Sequence, residues 1–558
     1  MISFVGWQYF IFELILFIFI SNPFYVRCNE DFKELYEADS WGTKFIFILP
    51  PNNINKFRTY CYLVGMNKEA NITVNIEYNS KSNNTEIIAR KKDKFHFKNF
   101  YKYDFHNLAM DDIIQEGLHM LKDNRIYVIS SDKISINCHI FDLESVVDLL
   151  TVYPVGMGGD YYGFSLPGSS TVTIYLLPLE RTNETISETH HISIIEKQNN
   201  KLKTIKQNMK AGSLWQFTAY VEKTISVWIR DQLSNTNTTK MIGQRAWNNE
   251  IARLMVVVSI RNVSIQGVAK KDFGCFMPTP MIVDRCARLT IPAYYPMNKA
   301  FANNILLTAP SNDCPMENVD IIFAKVDLLP MKWNKSPEPI NVNEKFCKKS
   351  LAIKSTTTSM NIINYGGNKG IFIHEIPAYS QWINDDIFPV IVPEGSHASL
   401  HVILSNYSEK AVRKNVQNGN EEFSNFRFSY SVTSLGPGFW RMRAQHGRKR
   451  RYVPIVIIEF NHTSIGYIAA ISLPRISPPM FTKYSHIIHL KKIKPEATTL
   501  LTTTTEEECF VDATATEPIA APLVVATTKI TQGASVNILS NNLFAICIFF
   551  IVCAERKQ

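Results

Sequence analysis

The chain has 558 residues, 46% of them hydrophobic and 20% charged, with a formal net charge of +9. That length exceeds a single core and calls for roughly two to four domains, and the composition excludes a disordered chain. The positive excess is modest for the length and sits in local clusters, so a nucleic-acid partner is not expected.

Residues 1–28 read as a signal peptide: Ile11 to Ile20 is almost wholly apolar, Ser21-Asn22-Pro23 follows, and cleavage falls after Arg27 or Cys28. The run is short of the roughly 20 residues of a membrane span, which favours a cleaved leader over an anchor. Two features fit less well, since Glu13 interrupts the run and no Lys or Arg precedes it.

The body is expected to be all-β, built of tandem β-sandwich-like units with minor helix. Residues 29–145 and 146–310 read as two β units and 311–490 as a further sandwich region. Lys133 to Ile140, Thr171 to Leu176 and Thr224 to Ile229 alternate apolar and polar residues, as a strand does when one face packs and the other meets water. Further strands are expected at Ser399 to Leu404, at Phe426 to Tyr430 and at Val453 to Phe460. Asn107 to Leu121 is the best helix candidate, with Ile113, Ile114, Leu118 and Leu121 on one side.

An internal repeat is visible. Trp41 to Pro50 aligns without gaps on Gly158 to Pro167, with a Gly, a Phe, a Leu and the Pro coinciding. Each copy is followed by an alternating run, Ile72 to Ile76 after the first and Thr171 to Leu176 after the second. Lys133 to Ile136 also matches Thr224 to Val227. The plain reading is two copies of one β unit.

Among ten cysteines, Cys547 and Cys553 lie in the apolar tail and Cys28 at the cleavage point. In an oxidising compartment the rest should pair, and pairing within each unit gives Cys61–Cys138, Cys275–Cys286 and Cys314–Cys347. Cys509 is left over for a disulfide-linked oligomer. Asn-x-Ser/Thr sequons at Asn71, Asn83, Asn183, Asn237, Asn262, Asn334, Asn406 and Asn461 spread over the region between the termini, as in a glycosylated ectodomain.

No motif carries chemistry. Gly156 to Gly159 lacks the Lys-Ser/Thr of a phosphate loop and reads as a turn before a strand. His190-His191 with Glu188 lacks a third metal ligand and reads as a solvated loop. The adjacent pairs Asp111-Asp112 and Asp385-Asp386 point to opposite faces if extended, so neither makes an acid/base couple. No cofactor, metal or catalytic residue is expected. Arg448-Lys449-Arg450-Arg451 fits the basic pattern cut by proprotein convertases; the alternatives are a polyanion-binding loop or a solvated one.

Residues 491–535 read as a Thr-rich, unstructured, O-glycosylated stalk. Residues 536–558 read as a hydrophobic anchor or anchor signal: Leu543 to Ala554 is short for a span, small residues at Gly533-Ala534-Ser535 suit a lipid-anchor signal, and the charged end Glu555 to Gln558 suits a stop-transfer segment.

The unit Trp-Gly-Thr-x-Phe…Pro, the Ser130 to Ile136 strand and the stretch Asp142 to Gly168 resemble the N-terminal domain of IgGFc-binding proteins, over roughly residues 41–310. The resemblance implies a β-rich, non-enzymatic binding module of mucus-type or adhesive proteins. The cysteine-dense von Willebrand-type D domains that accompany the module in vertebrate proteins are missing, so immunoglobulin binding is not carried over. The expected function is extracellular adhesion or recognition of a protein or glycan ligand, secreted or tethered to the cell surface. The alternatives are an extracellular-matrix or cuticle component and a secreted β-scaffold hydrolase such as a glycosidase, whose two carboxylates would share one cleft.

Overall fold

The computed structural model describes residues 39–471 except 52–56, 82–87, 106, 110–112, 114, 143–145, 169, 181–188, 232–252, 262–263, 266–267, 270–272, 282–292, 299–303, 310–317, 324–327, 333–339, 342–349, 356–359, 367–371, 384–386, 406–427, 444–451 and 461–462. These residues form antiparallel sheets with almost no helix, as the alternating runs predict.

The first unit holds β1 (Gly42–Phe47), β2 (Phe57–Gly65), β3 (Asn71–Lys81), β4 (Ile88–Lys98), β5 (Phe100–Asp104), β6 (Gly117–Leu121), β7 (Ile126–Asp142) and β8 (Val146–Val152). Strand β7 serves two sheets. Its residues 126–130 lie between β1 and β3, and its residues 134–142 lie between β2 and β8. One face therefore reads β4-β3-β7-β1 and the other β5-β2-β7-β8, with Phe45, Phe47, Ile72, Val74, Ile76, Val128, Ile136 and Leu150 buried between them.

The second unit repeats this connectivity with β9 (Tyr161–Pro167), β10 (Ser170–Pro178), β11 (Thr189–Gln198), β12 (Lys201–Lys210), β13 (Leu214–Val221), β14 (Thr224–Asp231), β15 (Leu254–Arg261), the short hairpin β16 (Ser264–Ile265) and β17 (Val268–Ala269), and β18 (Phe273–Phe276). Its sheets are β12-β11-β14-β9 and β13-β10-β15-β18. The long β7 of the first unit is here split into β14 and β15. The repeated segments Trp41 to Pro50 and Gly158 to Pro167 thus supply β1 and β9, which hold the same place. The close approach of backbone to proline is also repeated: a Cβ at Gly42 would lie 2.3 Å from Cβ of Pro154, and one at Gly159 would lie 2.3 Å from Cβ of Pro280. The other two matches are displaced. Ile72 to Ile76 lies in β3, whereas Thr171 to Leu176 lies in β10, the counterpart of β2. Register pairs Phe47 with Ile126 and Phe164 with Val227, so Val227-Trp228-Ile229 corresponds to Ile126-Tyr127-Val128 rather than to Lys133 to Ile136.

Two more copies follow. The third comprises β19 (Ala293–Asn298), β20 (Asn304–Thr308), β21 (Asn318–Phe323), β22 (Leu328–Lys332), β23 (Ile340–Asn341), β24 (Ser350–Ser355), β25 (Asn361–Gly366) and β26 (Phe372–Glu375), in sheets β22-β21-β24-β19 and β23-β20-β25-β26. The fourth comprises β27 (Ile387–Val392), β28 (His397–Ser405), β29 (Phe428–Leu435), β30 (Gly438–Arg443), β31 (Tyr452–Phe460) and β32 (Thr463–Ile468). There β27 pairs β30, and the second sheet is β29-β28-β31-β32. The order of pairing is the same in the first three copies, and the described strands of the fourth keep it.

The copies are joined in sequence and close on themselves. Their last strands meet: β8 touches β18, β18 touches β26, β26 touches β32, and β32 touches β8. The outward side of a second sheet packs on the copy before it. Leu306, Ile363 and Ile373 of the third copy join the core of the second, and Tyr62, Val64 and Leu149 of the first join that of the fourth. Head-to-tail contacts of one kind close a ring when the rotation fits. The Trp41 indole donates to the Ile387 carbonyl at 3.0 Å, and Arg441 donates to the carbonyls of Met66 and Gly65 at 2.7 and 2.5 Å and to Asn99 at 2.8 Å.

Three expectations are corrected. The helix over Asn107 to Leu121 is not formed at its C-terminal end: Gly117–Leu121 is β6, an edge strand paired with β13, and positive φ at Asn107 and Gly117 (52° and 110°) breaks helical continuity. The copies do not divide at 145/146 or at 310/311, because β8 completes the first copy while β6 extends a sheet of the second, and β19 and β20 already belong to the third. Cys275 is a free, buried thiol in β18. The backbone N–H of Cys275 donates to Asp148 of β8, and burial, then the Asp148 charge, pushes the thiol well above its ordinary pKa.

Candidate functional site

Cys61 and Cys138 are bonded, directly opposite each other across the β2–β7 ladder. Cys286, Cys314, Cys347 and Cys509 lie outside the described residues, as do the leader, the stalk, the tail, both Asp pairs and every sequon but one. Asn71, the exception, is exposed at the start of β3. Arg448, Lys449, Arg450 and Arg451 also fall outside, in the connection from β30 to β31. Among the described residues no helix is long and apolar enough to cross a membrane, and no cluster of three or more His, Cys, Asp or Glu is placed to hold a metal ion.

His190 and His191 are not in a solvated loop but in β11, on opposite faces. His190 is fully buried between the Asp231 carboxylate (Nδ1 to Oδ2, 2.8 Å) and the Leu179 carbonyl (Nε2, 3.0 Å). Arg253 Nε donates to the same Asp231 oxygen at 2.6 Å. Burial pushes the Asp231 carboxyl up, but the hydrogen bonds from His190 and Arg253 prevail and hold it below its ordinary value. The His190 and Asp231 side chains have no exposed surface, so no substrate atom reaches them. The trio fastens β11 and β14 to the chain entering β15.

A second buried group joins copies. Glu375, at the end of β26, accepts from the Thr279 N–H and hydroxyl at 3.0 and 2.7 Å and from Asn361 at 2.7 Å. Burial raises its pKa to about 7 against those donors.

The outward face of the first copy is different, because it is open. Alternation in β3 buries Ile72, Val74, Ile76 and Tyr78 and turns Asn71, Thr73, Asn75, Glu77 and Asn79 outward. With β4 and β7 these residues form an open groove of about 380 Å³ lined by Asn75, Glu77, Asn79, Arg90, Asp123, Tyr127 and Ile129. Its walls are held in place. Arg125 forks onto Asp123 at 2.7 and 2.9 Å. Asn79 donates to the Asp123 carbonyl at 2.5 Å. Lys92 pairs with Glu77 at 3.1 Å. The guanidinium carbons of Arg90 and Arg125 lie 4.8 and 5.1 Å from the Tyr127 ring centroid. Ile129 is 50% exposed beside them. Amides, ion-paired carboxylates and one apolar side chain on a rigid sheet can bind a polar ligand by hydrogen bonds and contact. The sequence signal for this groove was the outward residues of a strand that otherwise reads only as alternation.

The chain matches no protein-family model and no curated protein.

Proposed function

We propose that this chain is an extracellular, non-enzymatic recognition protein, secreted or held at the cell surface, that binds a protein or glycan through loops and faces of its β-sandwich array. The observation that carries the reading is the open, pre-organised groove at Asn75, Arg90 and Tyr127. Its two carboxylates, Glu77 and Asp123, are engaged by Lys92 and Arg125. That arrangement favours binding over the glycosidase alternative, which needs one free acid. The Cys61–Cys138 bond suits an oxidising compartment. In sequence, the seven sequons other than Asn71 lie between the strands. The resemblance to IgGFc-binding modules agrees with this reading.

The test is expression of the full chain in animal cells. Peptide-N-glycosidase should lower its apparent mass, and Asn75→Ala with Tyr127→Ala should reduce binding to arrayed glycans or intact cell surfaces. Unchanged mass would remove the extracellular reading, and unchanged binding would remove the groove. Phospholipase release from intact cells would identify a lipid anchor, and retention a span. Reducible multimers through Cys509 would favour a matrix component.

A further inference from the structure

We infer that the outward face of β4 in the first copy is a binding rail for a linear sulfated glycan, an inference that rests on the extracellular reading. Register places Arg90, Lys92, Lys94, His96 and Lys98 opposite Asn79, Glu77, Asn75, Thr73 and Asn71 of β3. All five basic residues are exposed and share the outward side, since same-face residues alternate along a strand. Every outward position over this stretch is therefore basic. At about 3.4 Å per residue the row runs about 27 Å.

Arg90 and Lys92 are engaged by Glu77, at 3.7 and 3.1 Å. Lys94 and Lys98 face Asn75 and Asn71, and no described carboxylate pairs with either of them. His96 Nδ1 lies 2.8 Å from the Thr73 hydroxyl. The face offers uncompensated ammonium groups next to amides and hydroxyls, the pairing that sulfates and sugar hydroxyls require.

The simpler account is that β4 is an edge strand, and lysines on an edge prevent sheet-to-sheet association. The second copy argues against it. Strand β12 holds the same edge position, yet its outward residues are Leu202, Thr204, Lys206, Asn208 and Lys210. Edge protection is met there with four exposed lysines, of which Lys206 and Lys210 alone share the outward side with Leu202, Thr204 and Asn208 while Lys201 and Lys203 fall on the other parity, so the unbroken basic row belongs to the first copy and not to the place in the fold. Single-stranded nucleic acid is disfavoured because such ligands stack their bases on free aromatic rings. Tyr127, the aromatic lining this face, is already covered by two arginines.

The test is retention of the full chain, purified from animal cells, on immobilised heparin at about 0.15 M salt. Lys94→Glu with Lys98→Glu should weaken binding about tenfold, Lys206→Glu with Lys210→Glu should leave it unchanged, and both variants should keep the parent unfolding midpoint. Fully desulfated heparin should not bind. Equal retention of the Lys94/Lys98 variant, equal loss in the Lys206/Lys210 variant, or equal binding of desulfated heparin or single-stranded DNA would overturn the proposal. A protein that ignores heparin while its mass still falls with peptide-N-glycosidase overturns the rail alone. One that binds heparin with no mass change supports the rail and removes the extracellular reading.

Discussion

Ile174 and Val258 face each other across the ladder between β10 and β15, at the positions that Cys61 and Cys138 hold between β2 and β7. The second copy thus fills with two apolar side chains the place that the first copy crosslinks. The fold does not need the bond for packing there.

Replacing the pair as Cys61→Ile with Cys138→Val should therefore give a folded protein with a lower unfolding midpoint. The bond spans 77 residues, and the chain-entropy cost of losing such a loop is about 4 kcal/mol. Thermal unfolding with and without reductant measures it. A double variant as stable as the parent would show that the bond adds nothing.

Gly42 and Gly159 sit at equivalent points against Pro154 and Pro280. Alanine at either should force backbone and proline apart, at a cost of about 1–3 kcal/mol. Because the contacts match, the two variants should lose similar amounts in denaturant titration. A loss at one site alone would mean that the copies are not mechanically alike.

Acid and base act on different buried groups. His139, His374 and His401 are held down to about 3, 4 and 4 by burial. Below about 6.5 the unfolded chain takes up protons that these folded histidines refuse, so stability falls as pH drops from about 6.5 toward 4. Glu375 has the opposite sign. Its folded pKa of about 7 lies above the ordinary 4.5, so its contribution is fully present below about 4.5 and is lost as pH rises through about 7. Glu375→Gln should raise stability at pH about 8 relative to the parent and steepen the fall on acidification. Unfolding midpoints from pH about 4 to 8 decide it, and parallel curves for parent and variant would exclude a proton on Glu375.

Arg441 reaches from β30 of the fourth copy to the turn after β2 and to Asn99 of the first. Arg441→Ala should loosen that seam by about 2–4 kcal/mol, since buried carbonyl acceptors lose charged donors. Hydrogen exchange should rise at residues 65–66 and 438–443, while the second copy stays protected. Unchanged exchange at the seam would show that apolar contact alone holds it.

The fold class and the kinship of the first two copies were legible because β1 and β9 share a Gly, a Phe, a Leu and a Pro at fixed spacing. The third and fourth copies were not, since their likeness lies in the order of strand pairing, which no short motif encodes. Alternation also misled. Every half-buried strand carries it, so Thr171 to Leu176 matched Ile72 to Ile76 although the two occupy different strands of the unit. Ile113, Leu118 and Leu121 have helical spacing, but the free edge of β13 draws Gly117–Leu121 into a strand, and tertiary pairing overrides local pattern. His190 looked solvated among polar neighbours because its partner Asp231 is 41 residues away. The groove and the basic row need register between β3, β4 and β7, which depends on a turn length that sequence does not reveal.

The Ser40 N–H donates to the Ile471 carbonyl at 3.3 Å, so the described chain begins and ends at one seam. Tension applied between its two ends would load the junction of the first and fourth copies before it reached the other two. Under such a pull the clasp would yield first, with the middle pair of sandwiches shielded from it.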